Sequence, residues 1–186
     1  MTAAAQEQRV DWEPALVLRA REGDTRAFER LYREHIGRVY GLCVRLTRDV
    51  TSAEDCAQET FINAWRALKS FETRSAFGTW LHRIAVNVVL SKRRQRSAWA
   101  ENGTLEAQES EEVDWTLDTP VEVAEIETAI GELPEGARDV LVLCGIFGYS
   151  HGEAGTMLGV AEGTCKAQLH RARALLRRRL DLESET

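Results

Sequence analysis

The chain has 186 residues, of which 44% are hydrophobic and 29% are charged, and its formal net charge is −6 at pH 7. This length accommodates one or two small domains, and the composition is ordinary for a globular protein. No stretch approaches the roughly 18 apolar residues of a membrane span, and the N-terminus lacks the apolar region of a secretion signal. The sequence therefore predicts a cytoplasmic protein without direct membrane insertion.

The negative net charge conceals a strong segregation of charge along the chain. Residues 101–127 hold ten acidic side chains and no basic one, whereas residues 161–180 hold six lysines or arginines against one acid. Fields between exposed charges act within a Debye length of about 8–10 Å. The basic patch, rather than the total charge, therefore decides whether this chain can bind nucleic acid.

The first half of the chain has the pattern of four helices. A lead-in of residues 1–12 precedes a short helix at 13–22. Apolar residues then recur at i, i+3, i+4 and i+7 from Phe28 to Leu46, which predicts a long amphipathic helix. The segment Thr51–Glu54 has the pattern of a capping box and begins a third helix. A fourth helix begins near Phe77 and ends in a basic run.

The second half is also helical, and it comes after a spacer. Residues 97–119 combine Gly, Ser, Glu, Gln and Asp without periodicity, which is typical of a flexible linker. The sequence predicts an all-α fold of two small helical domains joined by this acidic linker. The expected divisions are 1–23 (lead-in and short helix), 24–96 (first domain), 97–119 (linker) and 120–182 (second domain), the last with helices over 120–132, 135–146, 151–158 and 162–180.

Residues 150–173 have the dimensions of a helix-turn-helix: a short helix, a turn with Gly159, and a longer basic helix. Near the start of the last helix, Lys166, Gln168 and Arg171 are best placed to meet base edges in a major groove. Contacts to phosphates are expected from Thr164, His170 and Arg173. The alternative is a solvated basic face that complements the negative end of the helix dipole.

The helix that begins near Phe77 carries aromatic and basic side chains, and Phe71 precedes it in a loop. Aromatic rings beside cations suit unpaired bases, which stack on such rings. Periodicity alone instead favours a core position for these aromatics. The helix before it is expected to bury Phe61, Trp65 and Leu68. Its outer face is acidic and polar, which suits either a basic protein partner or solvent.

Taken together, these segments resemble the extracytoplasmic-function sigma factors, the two-domain class of specificity subunits of bacterial RNA polymerase. The resemblance covers about residues 20–96 and 120–180 in order. It rests on the segments Ala53–Phe61, Ala64–Leu68, Phe77–Asn87, Gly148–Glu153 and Leu158–Arg173.

The resemblance implies a role for each matched position. It implies that the first domain is of the sigma region 2 type and the second a helix-turn-helix of the sigma region 4 type. It also implies core RNA polymerase, promoter DNA and an anti-sigma factor as partners. The residues implied to bind core polymerase are Asp55, Gln58, Glu59 and Phe61. The residues implied to bind the −10 element are Phe71, Phe77, Trp80, Arg83 and Asn87. The residues implied to bind the −35 element are Thr164, Lys166, Gln168, His170, Arg171 and Arg173.

The last helix and the turn before it depart from the family pattern at four positions. Ala161 stands where proline is usual, Cys165 where valine is usual, and Ala167 where a small hydroxyl residue is usual. Gln168 replaces an arginine, which removes one cation and is expected to shift base preference.

Two other classes of function are compatible with parts of the sequence. A free-standing helix-turn-helix regulator would need to dimerise, and it would not need to bind polymerase. An enzyme is disfavoured because no HExxH, P-loop or GxSxG motif is present, so no catalytic residue, metal or cofactor is expected. The cysteines lack CxxC spacing and fall on apolar stripes, so buried free thiols are expected at Cys43, Cys56, Cys144 and Cys165.

Overall fold

A computed structural model describes residues 12–101 and 121–183, and all regular elements in these ranges are helical. The all-α fold class is thus confirmed. Helices α1–α4 form an N-terminal domain and α5–α8 form a C-terminal domain. The bounds are α1 Trp12–Arg21, α2 Thr25–Thr47, α3 Val50–Ala67, α4 Phe77–Glu101, α5 Val121–Gly131, α6 Glu135–Leu141, α7 His151–Leu158 and α8 Glu162–Glu183.

The N-terminal domain is built on the long α2, whose apolar stripe has the predicted period. Leu31, Val39 and Leu42 are fully buried against α3 and α4. At its start, the Asp24 side chain accepts hydrogen bonds from the backbone N–H groups of Arg26 and Ala27, at 3.0 and 3.1 Å. This cap satisfies two of the N–H groups that a helix N-terminus leaves without a partner.

The start of α3 differs from the expected capping box. Asp49, rather than Thr51, is the capping residue, and its Oδ1 accepts a hydrogen bond from the backbone N–H of Ser52 at 2.6 Å. Aspartate is among the strongest N-capping residues, so the helix begins at Val50. At the other end of the domain, α4 continues to Glu101, so residues 97–101 of the predicted linker are helical. Residues 102–119 of that linker lie outside the described residues.

The C-terminal domain contains the predicted helix-turn-helix. Ser150 and Glu153 form a reciprocal capping box at the start of α7, and Gly159 ends α7 with a φ of 70°. The turn is tight, because a Cβ atom on Gly155 would lie 2.7 Å from the carbonyl oxygen of Val160. Buried Cys165 and the stripe that continues from it then pack α8 against α7.

The predicted helix at 135–146 is α-helical only as far as Leu141. Residues Val142–Ile146 form a π-helical turn, in which the Phe147 N–H donates to the Val142 carbonyl. Such turns insert one residue into a helix and redirect the chain beyond it. Here the segment after the turn runs toward α4, and α7 packs on α4.

The two domains also meet where α6 and the π-helical turn pack against α2. The placement of the domains, which the sequence left open, is therefore defined in this structure by direct contacts. Within the described ranges, none of the helices has both the length and the apolar character of a membrane span.

Candidate nucleic-acid interface

The outer face of α8 carries the side chains expected at a DNA major groove. Lys166, Arg171 and Arg173 are exposed, as are Thr164 and His170. The opposite face is buried against the rest of the domain through Cys165, Leu169 and Ala172. The packing of this apolar stripe therefore fixes the rotation of α8 and points its cations to solvent.

Gln168 differs from the other residues predicted to contact bases. Its side chain is half-buried and lies near Gly136, at the start of α6. Its Oε1 is buried and has no hydrogen-bond partner among the described residues. Of the three predicted base contacts, Lys166 and Arg171 thus occupy the open face, whereas Gln168 lies at its edge.

The aromatic residues of the first domain form one cluster rather than an open row. Phe71 and Phe77 are only 5% and 2% exposed. Their ring centroids are 5.8 Å apart, and the half-buried Trp80 lies over both rings, at 4.8 and 5.6 Å. The faces of Phe71 and Phe77 are therefore occupied by other rings, and Trp80 is the member of the cluster closest to solvent.

The remaining residues assigned to the −10 element lie on the same side of α4 as Trp80. Arg83 and Asn87 are exposed, and they come after Trp80 at intervals of three and four residues. This spacing places all three side chains on one helix face. Trp80, Arg83 and Asn87 together present a ring, a cation and an amide.

His82 lies on the other side of α4 and contacts the second domain. Its Nδ1 is 2.6 Å from the Tyr149 hydroxyl, and its ring packs edge-on against Phe147 with centroids 5.1 Å apart. Burial lowers the pKa of His82 from 6.5 to about 4, and the charges of His35 and Arg38 act in the same direction. The sequence had given His82 no role.

The acidic face of α3 is exposed at Asp55 and Gln58 and half-buried at Glu59. The Lys92 ammonium of α4 lies 3.4 Å from the Glu59 carboxylate and 3.9 Å from that of Asp55. Phe61, which had been assigned to the same surface, is instead only 4% exposed. Its ring packs edge-on against Tyr32, so Phe61 supports this face from within.

The acidic face of α3 also carries two apolar residues that were not predicted from the sequence to be part of it. Ile62 is 44% exposed and lies off the apolar stripe, which was a signal available in the sequence. Trp65 was expected in the core but is 38% exposed. It lies at the rim of the α2–α3 contact, where one side of its indole covers Phe28 at 4.8 Å and the rest faces solvent.

Family models match the two domains separately. The Sigma-70 region 2 model matches residues 31–98. The model of Sigma-70, region 4 matches residues 124–176. The first match holds the aromatic cluster and the acidic face of α3, and the second holds the helix-turn-helix.

Whole-chain comparisons agree with these matches. The chain is 35% identical over 170 residues to RNA polymerase sigma-H factor of Pseudomonas aeruginosa, covering 85% of this chain and 88% of that protein. It is 32% identical over 176 residues to ECF RNA polymerase sigma factor SigW of Bacillus subtilis, covering 88% and 94%. The sigma factor RpoE of Bartonella quintana, solved in complex with the anti-sigma factor NepR, superposes with a TM-score of 0.71 at 26% identity, covering 83% and 96%.

These matches include both domains in the same order, with the two candidate DNA surfaces inside them. A helix-turn-helix alone occurs in many DNA-binding proteins, whereas in this chain it follows a domain that matches region 2. The chain therefore belongs to the extracytoplasmic-function sigma factors of the sigma-70 family, which bind core RNA polymerase and direct promoter-specific transcription initiation.

Proposed function

We propose that this sigma factor contacts its promoter through α8 at the −35 duplex and through Trp80, Arg83 and Asn87 at the −10 element. The proposal rests on the observation that α8 has one buried face and one exposed face. Its apolar stripe is buried while its cations remain exposed. A helix held in this way can enter a major groove without any change in the packing of its own domain.

At the −35 element, Lys166 and Arg171 are the base-contacting residues. Lysine and arginine donate to the acceptor edge of guanine, and each such contact discriminates by about 1–3 kcal/mol. Thr164, His170 and Arg173 contact phosphates and set the position of α8 along the groove. Gln168 contacts a base only when its amide moves away from α6.

At the −10 element, Trp80 is the ring on which an unpaired base stacks. Stacking contributes about 1–3 kcal/mol per base, which is of the same order as the cost of flipping a base out of the duplex. Phe71 and Phe77 position Trp80 by packing beneath it. Arg83 and Asn87 supply a charge for the backbone and an amide for a base edge.

The surface that binds core polymerase combines Asp55, Gln58 and Glu59 with the exposed rings and aliphatic groups beside them. Aromatic anchors flanked by polar groups are typical of the energetic centre of a protein interface. Ile62 and Trp65 provide the apolar part of this surface. Phe61 acts from below, by fixing the position of α3 against α2.

An anti-sigma factor is the expected regulator, by analogy with RpoE, whose structure was solved with one. The protein acts in the cytoplasm as a non-catalytic subunit. Its region 2-like domain spans about residues 24–96 and its region 4-like domain about 120–182, with α1 packed on the first.

The test is in vitro transcription with core RNA polymerase on a pooled promoter library, with and without this protein. The expected result is a set of new start sites that share two motifs at a fixed spacing. Sequence-specific DNA binding by a dimer, without any binding to core polymerase, would instead support a free-standing regulator.

A further inference from the structure

A histidine in the core of the first domain links α1 to the helix that carries Trp80. His35 follows Ala27 and Leu31 at intervals of four residues, so it lies on the buried stripe of α2. Its Nε2 is 2.6 Å from the Oε1 of Glu13, in the first turn of α1. The two side chains are only 11% and 25% exposed. A polar ring at a core position is therefore held by a carboxylate from another helix.

The same imidazole also contacts the beginning of α4. Its ring meets the ring of Phe77 edge-on, with centroids 5.3 Å apart. A Cβ atom on Gly78 would lie 3.3 Å from the imidazole Cε1 and 3.4 Å from its Nδ1. Because glycine has no side chain, the imidazole lies directly against the main chain of α4. His35 thus contacts the first two residues of that helix.

Phe77 in turn supports Trp80. The two ring centroids are 5.6 Å apart, and Phe77 is only 2% exposed. Side chains in a close-packed interior do not move independently, because few voids are available to them. A change in the orientation of the His35 imidazole therefore displaces Phe77, and with it the half-buried ring of Trp80.

The hydrogen bond to Glu13 fixes the orientation of the imidazole. Rotation of an imidazole about its last side-chain bond has only broad intrinsic preferences, so packing alone defines it poorly. A buried ring nitrogen without a hydrogen-bond partner would also be unfavourable. The start of α1 is itself anchored, since the Arg30 guanidinium lies over the Trp12 ring, 5.3 Å from its centroid. Glu13, which follows Trp12, is thereby held in place on α2.

We propose that Glu13 and His35 are positioning residues for the capture of a base at the −10 element. Glu13 orients the imidazole, the imidazole holds the start of α4, and Phe77 sets the position of the Trp80 ring. Neither Glu13 nor His35 contacts DNA. The functional part of this inference rests on the proposed role of Trp80, whereas the placement of Trp80 by His35 does not.

The first experiment tests this placement without DNA. In nitrogen–proton NMR spectra of the full-length chain, the Trp80 indole N–H signal is identified by its loss in Trp80→Phe. Glu13→Ala and His35→Leu are each expected to shift this signal. In the His35→Leu background, Glu13→Ala should cause no further shift, because Glu13 acts through His35. The matched control is Glu29→Ala, which removes the carboxylate of an exposed ion pair within α2 and should leave the signal in place.

Glu13→Ala also covers any loss of folding at position 35, because Glu13 lies near the surface. If the Trp80 signal of the folded variants stays at the wild-type position, His35 does not position Trp80 and the inference is wrong. A full further shift on addition of Glu13→Ala to His35→Leu would remove Glu13 from the proposed pair.

The second experiment measures the consequence for promoter opening by the holoenzyme. A fluorescent adenine analogue in the −10 element reports when its base leaves the duplex. Glu13→Ala and His35→Leu should slow this step by roughly threefold or more, which is part of the loss expected for one whole stacked base. Binding to the −35 duplex should not change, because α8 belongs to the other domain. Glu13→Gln should open at close to the wild-type rate, since an amide can still hydrogen-bond to the imidazole.

A stability control separates positioning from a general weakening of the domain. Leu42→Ala removes a fully buried side chain two turns along α2 from His35 and should lower the free energy of unfolding at least as much. While it remains folded, it should open promoters at the wild-type rate. Equal slowing by Leu42→Ala, or wild-type opening by Glu13→Ala and His35→Leu while Trp80→Ala is slow, would overturn the positioning role. Wild-type opening by Trp80→Ala would instead contradict the proposed −10 contact, and with it the functional part of this inference.

Discussion

Helices α4 and α8 both carry a proposed DNA surface, but they present it in opposite ways. On α8 the cations are exposed and the apolar stripe is buried, so the surface exists before DNA arrives. At the start of α4, two of the aromatic residues implied by the family, Phe77 and the preceding Phe71, are core residues, and only Trp80 reaches solvent. Recognition of a duplex needs exposed donors, whereas capture of a base needs one accessible ring on a rigid support. The same domain core that hides Phe71 and Phe77 provides that support.

The largest expected effect tests whether Phe77 belongs to the core. Phe77→Ala should lower the free energy of unfolding by about 3–5 kcal/mol, because it removes a fully buried ring and leaves a cavity. Urea denaturation monitored by circular dichroism measures this loss. Trp80→Ala is the matched control and should destabilise less, since its ring is half-buried. Equal and small losses for both would place Phe77 outside the core.

The next effect concerns His82, which links α4 to the segment before α7. The buried imidazole stays neutral in the folded chain down to about pH 4, because its pKa is lowered to that value, whereas in the unfolded chain it takes up a proton near pH 6.5. The unfolded state therefore binds more protons between these values. The His82 contribution to stability is complete above pH 6.5 and should fall by up to about 1.4 kcal/mol per pH unit as the pH drops toward 4.

Denaturation of wild type and His82→Gln at several pH values isolates this contribution from that of the carboxylates. The difference in unfolding free energy between the two proteins should change between pH 6.5 and about 4 and stay constant at higher pH. A constant difference throughout would mean that His82 takes up its proton at the same pH in the folded and the unfolded chain.

A comparable or smaller effect tests the open face of α8. Arg171→Ala or Lys166→Ala should weaken promoter binding by about 1–3 kcal/mol and relax specificity at one base pair. Neither change should alter folding, because both side chains are exposed. Binding of the holoenzyme to promoters with single substitutions in the −35 element measures this. Arg178→Ala, further along α8, is the control, and its loss should be uniform across sequences if it reaches a phosphate at all.

The smallest effect on duplex binding is expected from Trp80→Ala. This change should leave −35 binding intact while slowing promoter opening, since one stacked base is worth about 1–3 kcal/mol. Permanganate probing of the −10 region over time measures the opening. An opening rate equal to that of the wild type would remove Trp80 from the proposed site.

Local periodicity predicted the helices and the orientation of α8 well. The stripes of α2 and α8 have the 3.6-residue period, and Gly159 ends α7 where expected. The capping residue of α3 was misassigned because two segments could cap it, and only the structure shows that Asp49 does. Trp65 was placed in the core because period alone cannot separate the centre of an interface from its rim.

The contact between the domains could not be predicted in the same way. Arg93 and Asp139, which form an ion pair across this contact, are far apart in sequence and belong to different helices, and neither lies on a pattern that names its partner. The sequence shows the basic residues at the end of α4, but it does not show which groups of the second domain face them. Long-range pairing of charges carries no periodic signal, so it had to come from the structure.

The tight approach at Gly155 has a consequence for how this protein can change its target. No side chain separates α7 from the turn at this point, since a Cβ atom there would lie 2.7 Å from the Val160 carbonyl. The angle between the two helices is therefore set by main-chain contact. Substitutions on the outer face of α8, or at its edge where the unusual Gln168 lies, can alter the preferred bases while the helix enters the groove at the same angle. The base preference can therefore change through single substitutions on α8, while the orientation of α8 relative to α7 stays the same.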